Sequence, residues 1–234
     1  MENYIDDRVY EQATGHAKSL KLKMLNELKK SVCKIKKTQF DYTGTGFFLK
    51  IQAELNDLYF LVTAHHLISE EYVMENKSIE IIPEIKTLKR IIKLDRKDRT
   101  IICLSKQDIT AIELIDKDDI KNNVKFLTYD LTSKPDCNDY KDKDIFSLPY
   151  PYGIDVECSS GKILIVKSPK QFEFQHSLDT EKGSSGAPIM IEDNITGDPK
   201  VMGVHTSGLI STNNNIGTFI GELINEINKP KPNK

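Results

Sequence analysis

The stretch that decides the fold is Glu181-Lys182-Gly183-Ser184-Ser185-Gly186-Ala187-Pro188, which has the pattern G-x-S-G-x-P. This pattern is a common way to present the hydroxyl of Ser185 at a sharp turn. Gly183 can adopt backbone angles that a side chain would forbid, which lets its N–H point inward. The N–H groups of Gly183 and Ser185 could then form an oxyanion hole, which stabilises the charge that develops in acyl transfer.

A serine hydroxyl alone is a weak nucleophile, so this interpretation requires a base and a group that orients the base. Upstream, residues 61–66 form a hydrophobic run that ends in the pattern T-A-x-H at His66. Between this run and the serine, Asp108 opens the apolar segment 109–115. Candidates for both roles are therefore present, in the chain order His66, Asp108, Ser185.

This ordered set of motifs resembles the chymotrypsin-like serine proteases, in particular the V8-like glutamyl endopeptidases and intracellular trypsin-like peptidase domains. The resemblance covers about residues 31–228. It also includes three shorter motifs and a closing helix: residues 44–48, 160–163 and 201–205. The resemblance implies that Ser185 is the nucleophile, His66 the general base, and Asp108 the group that fixes the imidazole tautomer.

Each catalytic position has a competitor nearby. The T-A-x-H pattern puts the base at His66, so His65 is expected to pack or to face solvent. Asp108 precedes an apolar run, whereas the other carboxylates of the region stand in charged, loop-like segments: Asp95, Asp98, Asp116, Asp118 and Asp119. Thr110 departs from the family pattern and leaves the local register of the aspartate motif open.

Ser185 is preferred to Ser184 because only Ser185 has glycine at both flanking positions of the pattern. In zymogen-type trypsins the residue before the nucleophile is an aspartate that pairs with a newly freed N-terminus. Ser184 carries no charge and cannot form that ion pair. The sequence therefore predicts no trypsinogen-style activation.

The specificity residues are ambiguous at this stage. Asp179 stands where trypsin-like enzymes carry the acid that selects Lys or Arg. Thr180 and His205 match the positions that V8-like enzymes use to bind a glutamate side chain. The choice between an acidic and a basic substrate residue stays open. The segment of Thr206, Ser207 and Gly208 is expected to pair with the substrate backbone by strand addition. The hydroxyl of Thr206 is also expected to support the catalytic aspartate.

Short β-rich runs separated by polar turns predict an all-β protein, with two antiparallel six-stranded β-barrels, an N-terminal helical extension and a C-terminal helix. The first barrel should use the β-rich runs that contain Val32, residues 47–51 and residues 60–62, together with strands near 78–82, 89–94, 100–104 and 109–115. The second barrel should use strands near 145–148, 162–166, 171–176, 187–191, 201–205 and 217–220. The predicted divisions are an extension at 1–30, a first barrel at 31–120, a linker at 121–142, a second barrel with the final helix at 143–228, and a disordered tail at 229–234.

Composition excludes several classes of function. The 234 residues carry a net charge of −2, so no basic footprint for nucleic acid is present. No apolar run approaches the roughly 18 residues of a membrane span, and the acidic start argues against a secretory signal. The four cysteines have no metal-ligand spacing, so no metal site is predicted, and no cofactor is expected. Secreted relatives of this fold are often disulfide-bonded, and the lack of such a pattern here favours a reducing cytoplasm.

The leading hypothesis is an intracellular serine endopeptidase that acts on protein or peptide segments through an acyl-enzyme. The alternative is a catalytically silent or partner-activated peptide-binding module on the same fold. An α/β-hydrolase esterase is disfavoured, because that fold needs βα units and places its histidine last in the chain. The amphipathic pattern at 7–30 predicts a helix that packs on the body or binds a regulatory protein.

Overall fold

Two curled antiparallel sheets make up most of the computed structural model, which describes residues 22–37, 43–52, 56–75, 77–84, 88–130, 140–166, 172–209 and 214–229. The first half contains α1 (Leu22–Lys29), β1 (Val32–Lys37), β2 (Thr43–Ile51), β3 (Leu58–Ala64), α2 (Glu70–Met74), β4 (Ser78–Pro83), β5 (Arg90–Lys93), β6 (Ile101–Leu104) and β7 (Ile109–Glu113). The second half contains β8 (Thr128–Tyr129), β9 (Asp144–Ser147), β10 (Ser159–Val166), β11 (Glu173–His176), β12 (Pro188–Glu192), β13 (Pro199–Leu209), β14 (Asn214–Phe219) and α3 (Gly221–Ile227). Short 3₁₀ turns lie at Asp116–Asp118, Lys121–Asn123 and Pro151–Gly153.

The first sheet has the strand order β5-β4-β1-β2-β3-β7-β6. Its central strands are buried on both faces, because alternate side chains enter two different cores. On β3, Leu61 packs inside the first sheet, whereas Phe60 and Val62 pack toward the second. This two-sided burial explains why the segment reads in the sequence as a continuous apolar run rather than as an alternating one.

The second sheet has the order β12-β9-β10-β11-β14-β13-β8, and an additional pairing of β12 with β13 closes its first six strands into a barrel. The barrel interior is apolar, with Phe174, Met202 and Phe219 among its buried side chains. The strand β8 joins outside the closed ring and runs parallel to β13. A third core, between the two sheets, includes Leu28 of α1 and Leu223 of α3, so both helices seal the interface where the sheets meet.

The predicted all-β double-barrel fold is confirmed, and the predicted strands of both halves are present with small shifts at their ends. One detail differs, because the first sheet is curled but not closed: in the described residues β5 pairs only with β4, and β6 only with β7. Side chains bridge this opening instead. Arg90 of β5 bonds Asp119 at 2.9 Å, and Arg99, just before β6, forms a buried pair with Asp118.

The helical predictions are confirmed in part. The final helix spans Gly221–Ile227, close to the predicted end of the second barrel. Of the predicted N-terminal helix only Leu22–Lys29 lies within the described residues, and the rest of that prediction lies outside them, as do residues 230–234 of the predicted tail. The segments α2 and β8 were not predicted. No helix within the described ranges is long and apolar enough to cross a membrane.

Candidate active site

His66 and Asp108 lie together because their strands are neighbours. β3 ends at Ala64, β7 begins at Ile109, and the two residues pair directly across the antiparallel ladder. Asp108 adopts a left-handed backbone conformation (φ 52°) that directs its carboxylate onto the turn after β3. Asp108 Oδ1 accepts the backbone N–H of His66 at 2.7 Å, and Oδ2 lies 2.7 Å from His66 Nδ1. The carboxylate thus favours the tautomer with the proton on Nδ1, which leaves Nε2 as an acceptor.

Thr110 also contacts the turn that follows β3. Its hydroxyl donates to the carbonyl of Ile68 at 2.8 Å and lies 3.1 Å from Nδ1 of His65. Thr110 pairs directly with Thr63 in the ladder between β3 and β7. The departure from the family motif therefore leaves Asp108 directly before β7, and it gives His65 a structural partner.

The loop between β11 and β12 presents Ser185 between two glycines that no other residue could replace without strain. Gly183 and Gly186 have φ values of 102° and 86°, in the left-handed region. A Cβ on Gly183 would lie 2.6 Å from the carbonyl oxygen of Tyr150, and one on Gly186 would lie 2.2 Å from that of Thr45. Ser184 is fully buried, whereas Ser185 is partly exposed, which agrees with the preference for Ser185.

Thr45 on β2 ties this loop to the first sheet. Its N–H donates to the carbonyl of Ser185 at 2.9 Å, and its hydroxyl donates to the carbonyl of Gly183 at 2.9 Å. The same hydroxyl accepts the N–H of Tyr150 at 2.9 Å. Residues 44–48 are one of the motifs that carry the resemblance, but the sequence alone indicates no role for Thr45. The structure makes it the link between the two halves of the site.

The predicted oxyanion hole consists of the N–H groups of Gly183 and Ser185. No described residue accepts a hydrogen bond from the N–H of Gly183 or of Ser185. The carbonyl of Lys182 accepts the N–H of Tyr152 at 2.5 Å. Because the peptide unit is planar and trans, this bond turns the N–H of Gly183 the opposite way. Tyr152 itself has a φ of 52°, and its hydroxyl donates to Glu181 at 2.7 Å.

The Ser185 hydroxyl does not point at the imidazole. It donates to the carbonyl of Thr206 at 3.5 Å, the outer limit of a hydrogen bond, and none of the described contacts joins it to His66. The Thr206 hydroxyl donates to the carbonyl of Ile216 at 3.2 Å, and within the described residues it makes no hydrogen bond to Asp108. The expected support of Asp108 by Thr206 is therefore replaced by a contact between strands.

A polar cavity of about 770 Å³ opens beside Ser185. Five predicted binding residues line it: Asp179, Thr180, His205, Ser207 and Gly208. Asp179 is exposed to solvent, whereas His205 is buried. Asn215, which sequence reasoning did not identify, also lines the cavity, and it faces Gly208 across the pair of strands β13 and β14.

Behind this cavity His205 contacts a second buried histidine that sequence reasoning missed. His205 Nδ1 lies 3.3 Å from Nε2 of His176 on β11. Burial is the main reason that the pKa of His205 falls to about 4 and that of His176 to about 3. A neighbouring histidine contributes in the same direction, His66 for His205 and His205 for His176. Both rings are therefore neutral near pH 7. The only signal available in the sequence was a histidine at the end of a predicted strand.

Neither a protein-family model nor a curated protein sequence matches the chain. Solved structures do match. The active form of the Rv3671c protease from M. tuberculosis is 15% identical over 100% of this chain and 96% of that chain, with a TM-score of 0.62. The inactive form of that protease matches with a TM-score of 0.56 at 15% identity, over 88% of this chain and 94% of that chain. The serine endoprotease from Yersinia pestis is 12% identical over 88% and 64% of the respective chains, with a TM-score of 0.60.

The chain has the chymotrypsin-like serine protease fold. At these identities the likeness concerns the fold and not the activity. In this protease fold the two sheets each contribute part of the site, His66 and Asp108 from the first and Ser185 from the second.

The protease fold also leaves one strand edge free beside the cavity. β12 pairs with β13 only as far as Val204, and β14 covers the opposite edge of β13 up to Leu209. Beyond Val204, in the described residues, no strand pairs with the edge of β13 that β12 occupies earlier, and this free edge includes Ser207 and Gly208. An extended peptide could add there as a further strand.

The three cysteines that the structure describes take no part in this site. Cys33, Cys103 and Cys158 are free thiols, and burial raises the pKa of each of them, that of Cys103 to about 11. Cys137 lies outside the described residues. In the described part of the chain, no group of three or more His, Cys, Asp or Glu side chains is arranged to hold a metal ion.

Proposed function

We propose that this protein is a serine endopeptidase with Ser185 as nucleophile, His66 as general base and Asp108 as the residue that orients the base. The observation that carries the proposal is the bidentate contact of Asp108 with the ring and backbone of His66, across the site from a serine turn whose two glycines have positive φ.

In the proposed reaction, Ser185 Oγ turns from the carbonyl of Thr206 toward Nε2 of His66 and gives up its proton as it attacks the substrate carbonyl carbon. The N–H groups of Gly183 and Ser185 bind the oxygen that becomes negative. His66 then returns the proton to the leaving amine as the C–N bond breaks, which leaves an acyl-enzyme. Water gives a proton to His66 as it attacks the ester carbon, and His66 passes that proton to Ser185 Oγ as the ester C–O bond breaks and the second product leaves.

The proposed substrates are protein or peptide segments bound in extended form. The free edge of β13 at Ser207 and Gly208 supports this proposal, because it can pair with a substrate backbone. The side chain before the cleaved bond would enter the cavity lined by Asp179, Thr180 and His205.

The rival function is a catalytically silent or partner-activated peptide-binding module. The contact of the Ser185 hydroxyl with Thr206 instead of His66 favours this rival. Labelling of the purified full chain with a fluorophosphonate distinguishes the two. We expect labelling of the wild type and of Ser105→Ala, an exposed serine in a turn, and no labelling of Ser185→Ala or His66→Ala. Wild-type protein that stays unlabelled under all tested conditions would favour the binding module.

Cytoplasmic localisation and a regulatory protein partner remain proposals. The free thiols support a reducing compartment. Residues 7–21 of the proposed regulatory helix lie outside the described residues, whereas Leu28 of α1 is buried against the body. Removal of residues 1–21 should change fluorophosphonate labelling or partner binding if this segment regulates the site. An unchanged labelling rate and unchanged binding would argue for a packing role alone.

A further inference from the structure

The tautomer of His176 is determined by its backbone neighbour. The N–H of Leu178 donates to His176 Nδ1 at 3.3 Å, so this nitrogen is the unprotonated one. In a neutral imidazole the proton then lies on Nε2. His176 is fully buried, and an added charge there would be unpaired.

His176 in turn determines which nitrogen of His205 carries the proton. The Nε2–H of His176 faces His205 Nδ1 at 3.3 Å, which makes that nitrogen an acceptor and places the proton of His205 on Nε2. The carbonyl of Ile216 accepts the hydroxyl of Thr206 at 3.2 Å, and its hydrogen bonding to the two rings raises the pKa of each against the larger effect of burial. Protonation of His205 would turn a second N–H toward the Nε2–H of His176. The ring therefore lines the cavity as a neutral N–H donor.

The opposite wall offers acceptors. Thr180 Oγ1 donates its one hydrogen to Asn215 Oδ1 at 2.7 Å, so within the cavity the hydroxyl oxygen can only accept. Asn215 Nδ2 donates to the carbonyl of Leu178 at 2.6 Å, which fixes the orientation of the amide. The Oδ1 atom of Asn215 keeps a second lone pair for a ligand.

The charges of the lining disfavour an acidic side chain. Two carboxylates, Asp179 and Glu181, line the cavity against one ammonium group, that of Lys182. A substrate carboxylate would meet acceptors at Thr180 and a net negative lining. A substrate ammonium would meet the N–H of His205. A carboxamide carries both an acceptor for that N–H and donors for the threonine and asparagine oxygens.

Resting on the proposed function, we propose that the cavity selects a substrate side chain that ends in a neutral carboxamide at the residue before the cleaved bond. His205 is the specificity residue that binds the amide oxygen. Thr180 and Asn215 accept the amide N–H groups. His176 is a positioning residue, because it acts through the tautomer of His205.

The test uses three peptides that differ only at this residue, with Gln, Glu or Lys, of which Gln and Glu have nearly the same shape. Binding is measured by calorimetry to the full chain carrying Ser185→Ala, so that no turnover is needed. We expect the Gln peptide to bind about 100-fold more tightly than either of the others at pH 7.5, because each of these would leave buried polar groups unpaired. Equal or tighter binding of the Glu or the Lys peptide would overturn the proposal.

A pair of variants tests the positioning role. His176→Leu removes the donor that faces His205, whereas His176→Gln keeps an N–H donor for His205 and an acceptor for Leu178. We expect His176→Leu to lower the Gln-to-Glu affinity ratio by about 10-fold at both pH 6 and pH 8, because burial keeps His205 neutral at either pH while its ring loses the N–H that fixes its tautomer. His176→Gln should restore the wild-type ratio. A ratio that is the same in both variants at both pH values would refute the role of His176.

A third variant covers the case in which His176→Leu does not fold. Thr180→Val removes the acceptor and should weaken binding of the Gln peptide by about 10-fold while leaving the Glu peptide unchanged. An equal effect on both peptides would count against the proposal. Fluorophosphonate labelling separates this inference from the proposed function. If the protein is labelled but shows no preference for Gln, only this inference is refuted. If the protein is not labelled but prefers Gln, only the proposed peptidase function is refuted.

Discussion

Replacement of Thr45 with valine should uncouple the serine loop from the first sheet while leaving the shape of the side chain almost unchanged. Thr45 is fully buried, and its hydroxyl makes two hydrogen bonds of 2.9 Å, one to the carbonyl of Gly183 and one from the N–H of Tyr150. Valine can make neither bond. The backbone bond from Thr45 to Ser185 does not depend on the side chain and should remain.

The size of the effect follows from the groups that valine would leave without partners. A buried donor or acceptor that loses its only partner costs about 1–3 kcal/mol, so the two groups together should lower the free energy of unfolding by about 2–6 kcal/mol. A typical domain has a total of about 5–15 kcal/mol, so the loss should be plain in a urea titration. Thr45→Ser keeps the hydroxyl and loses one methyl group, which should cost about 1 kcal/mol.

The assay is urea unfolding of both variants beside the wild type, followed by the rate of fluorophosphonate labelling. Thr45→Val should shift the urea midpoint well beyond Thr45→Ser and should slow labelling, because the carbonyl of Gly183 is no longer held. If the two variants unfold at the same urea concentration, the hydroxyl bonds contribute little. The reasoning about the link between the two sheets would then be refuted.

Three further predictions concern the buried polar groups and the turn. Asp118→Asn leaves the guanidinium of Arg99 without a charged partner and should cost about 3 kcal/mol of unfolding free energy; a urea midpoint equal to that of the wild type would contradict this. The pKa values of His205 and His176 fall to about 4 and about 3 in the folded state, so the unfolded chain binds more protons below pH 6.5. The free energy of unfolding should therefore fall as the pH drops from 6.5 toward 4, by about 1.4 kcal/mol per pH unit per histidine at most, and His205→Gln should flatten this slope. Gly186→Ala should cost more than about 3 kcal/mol or prevent folding, since φ is 86° and the Cβ would meet backbone at 2.2 Å; a soluble variant of wild-type stability would show that the turn can rearrange.

Much of the fold was predictable because local patterns carry it. Period-2 and continuous apolar runs predicted nearly every strand of both sheets, and the serine turn was recognisable from glycines that its backbone requires. The opening in the first sheet was not predictable. The gap between β5 and β6 is bridged by Arg90 with Asp119 and by Arg99 with Asp118, and charged residues in a loop-like segment give no local sign of such pairs.

The sequence alone predicted the serine turn, the histidine after an apolar strand and the aspartate before another. Each of these features depends on residues that are adjacent in sequence. The contacts that join them depend on packing between distant segments. Thr45 reaches the serine loop from another sheet, and His176 reaches His205 from another strand. Hydrogen-bond partners and tautomers exist only once strands far apart in sequence lie side by side. The hydroxyl link behind Ser185 and the neutral donor in the cavity were therefore decided by the tertiary structure alone.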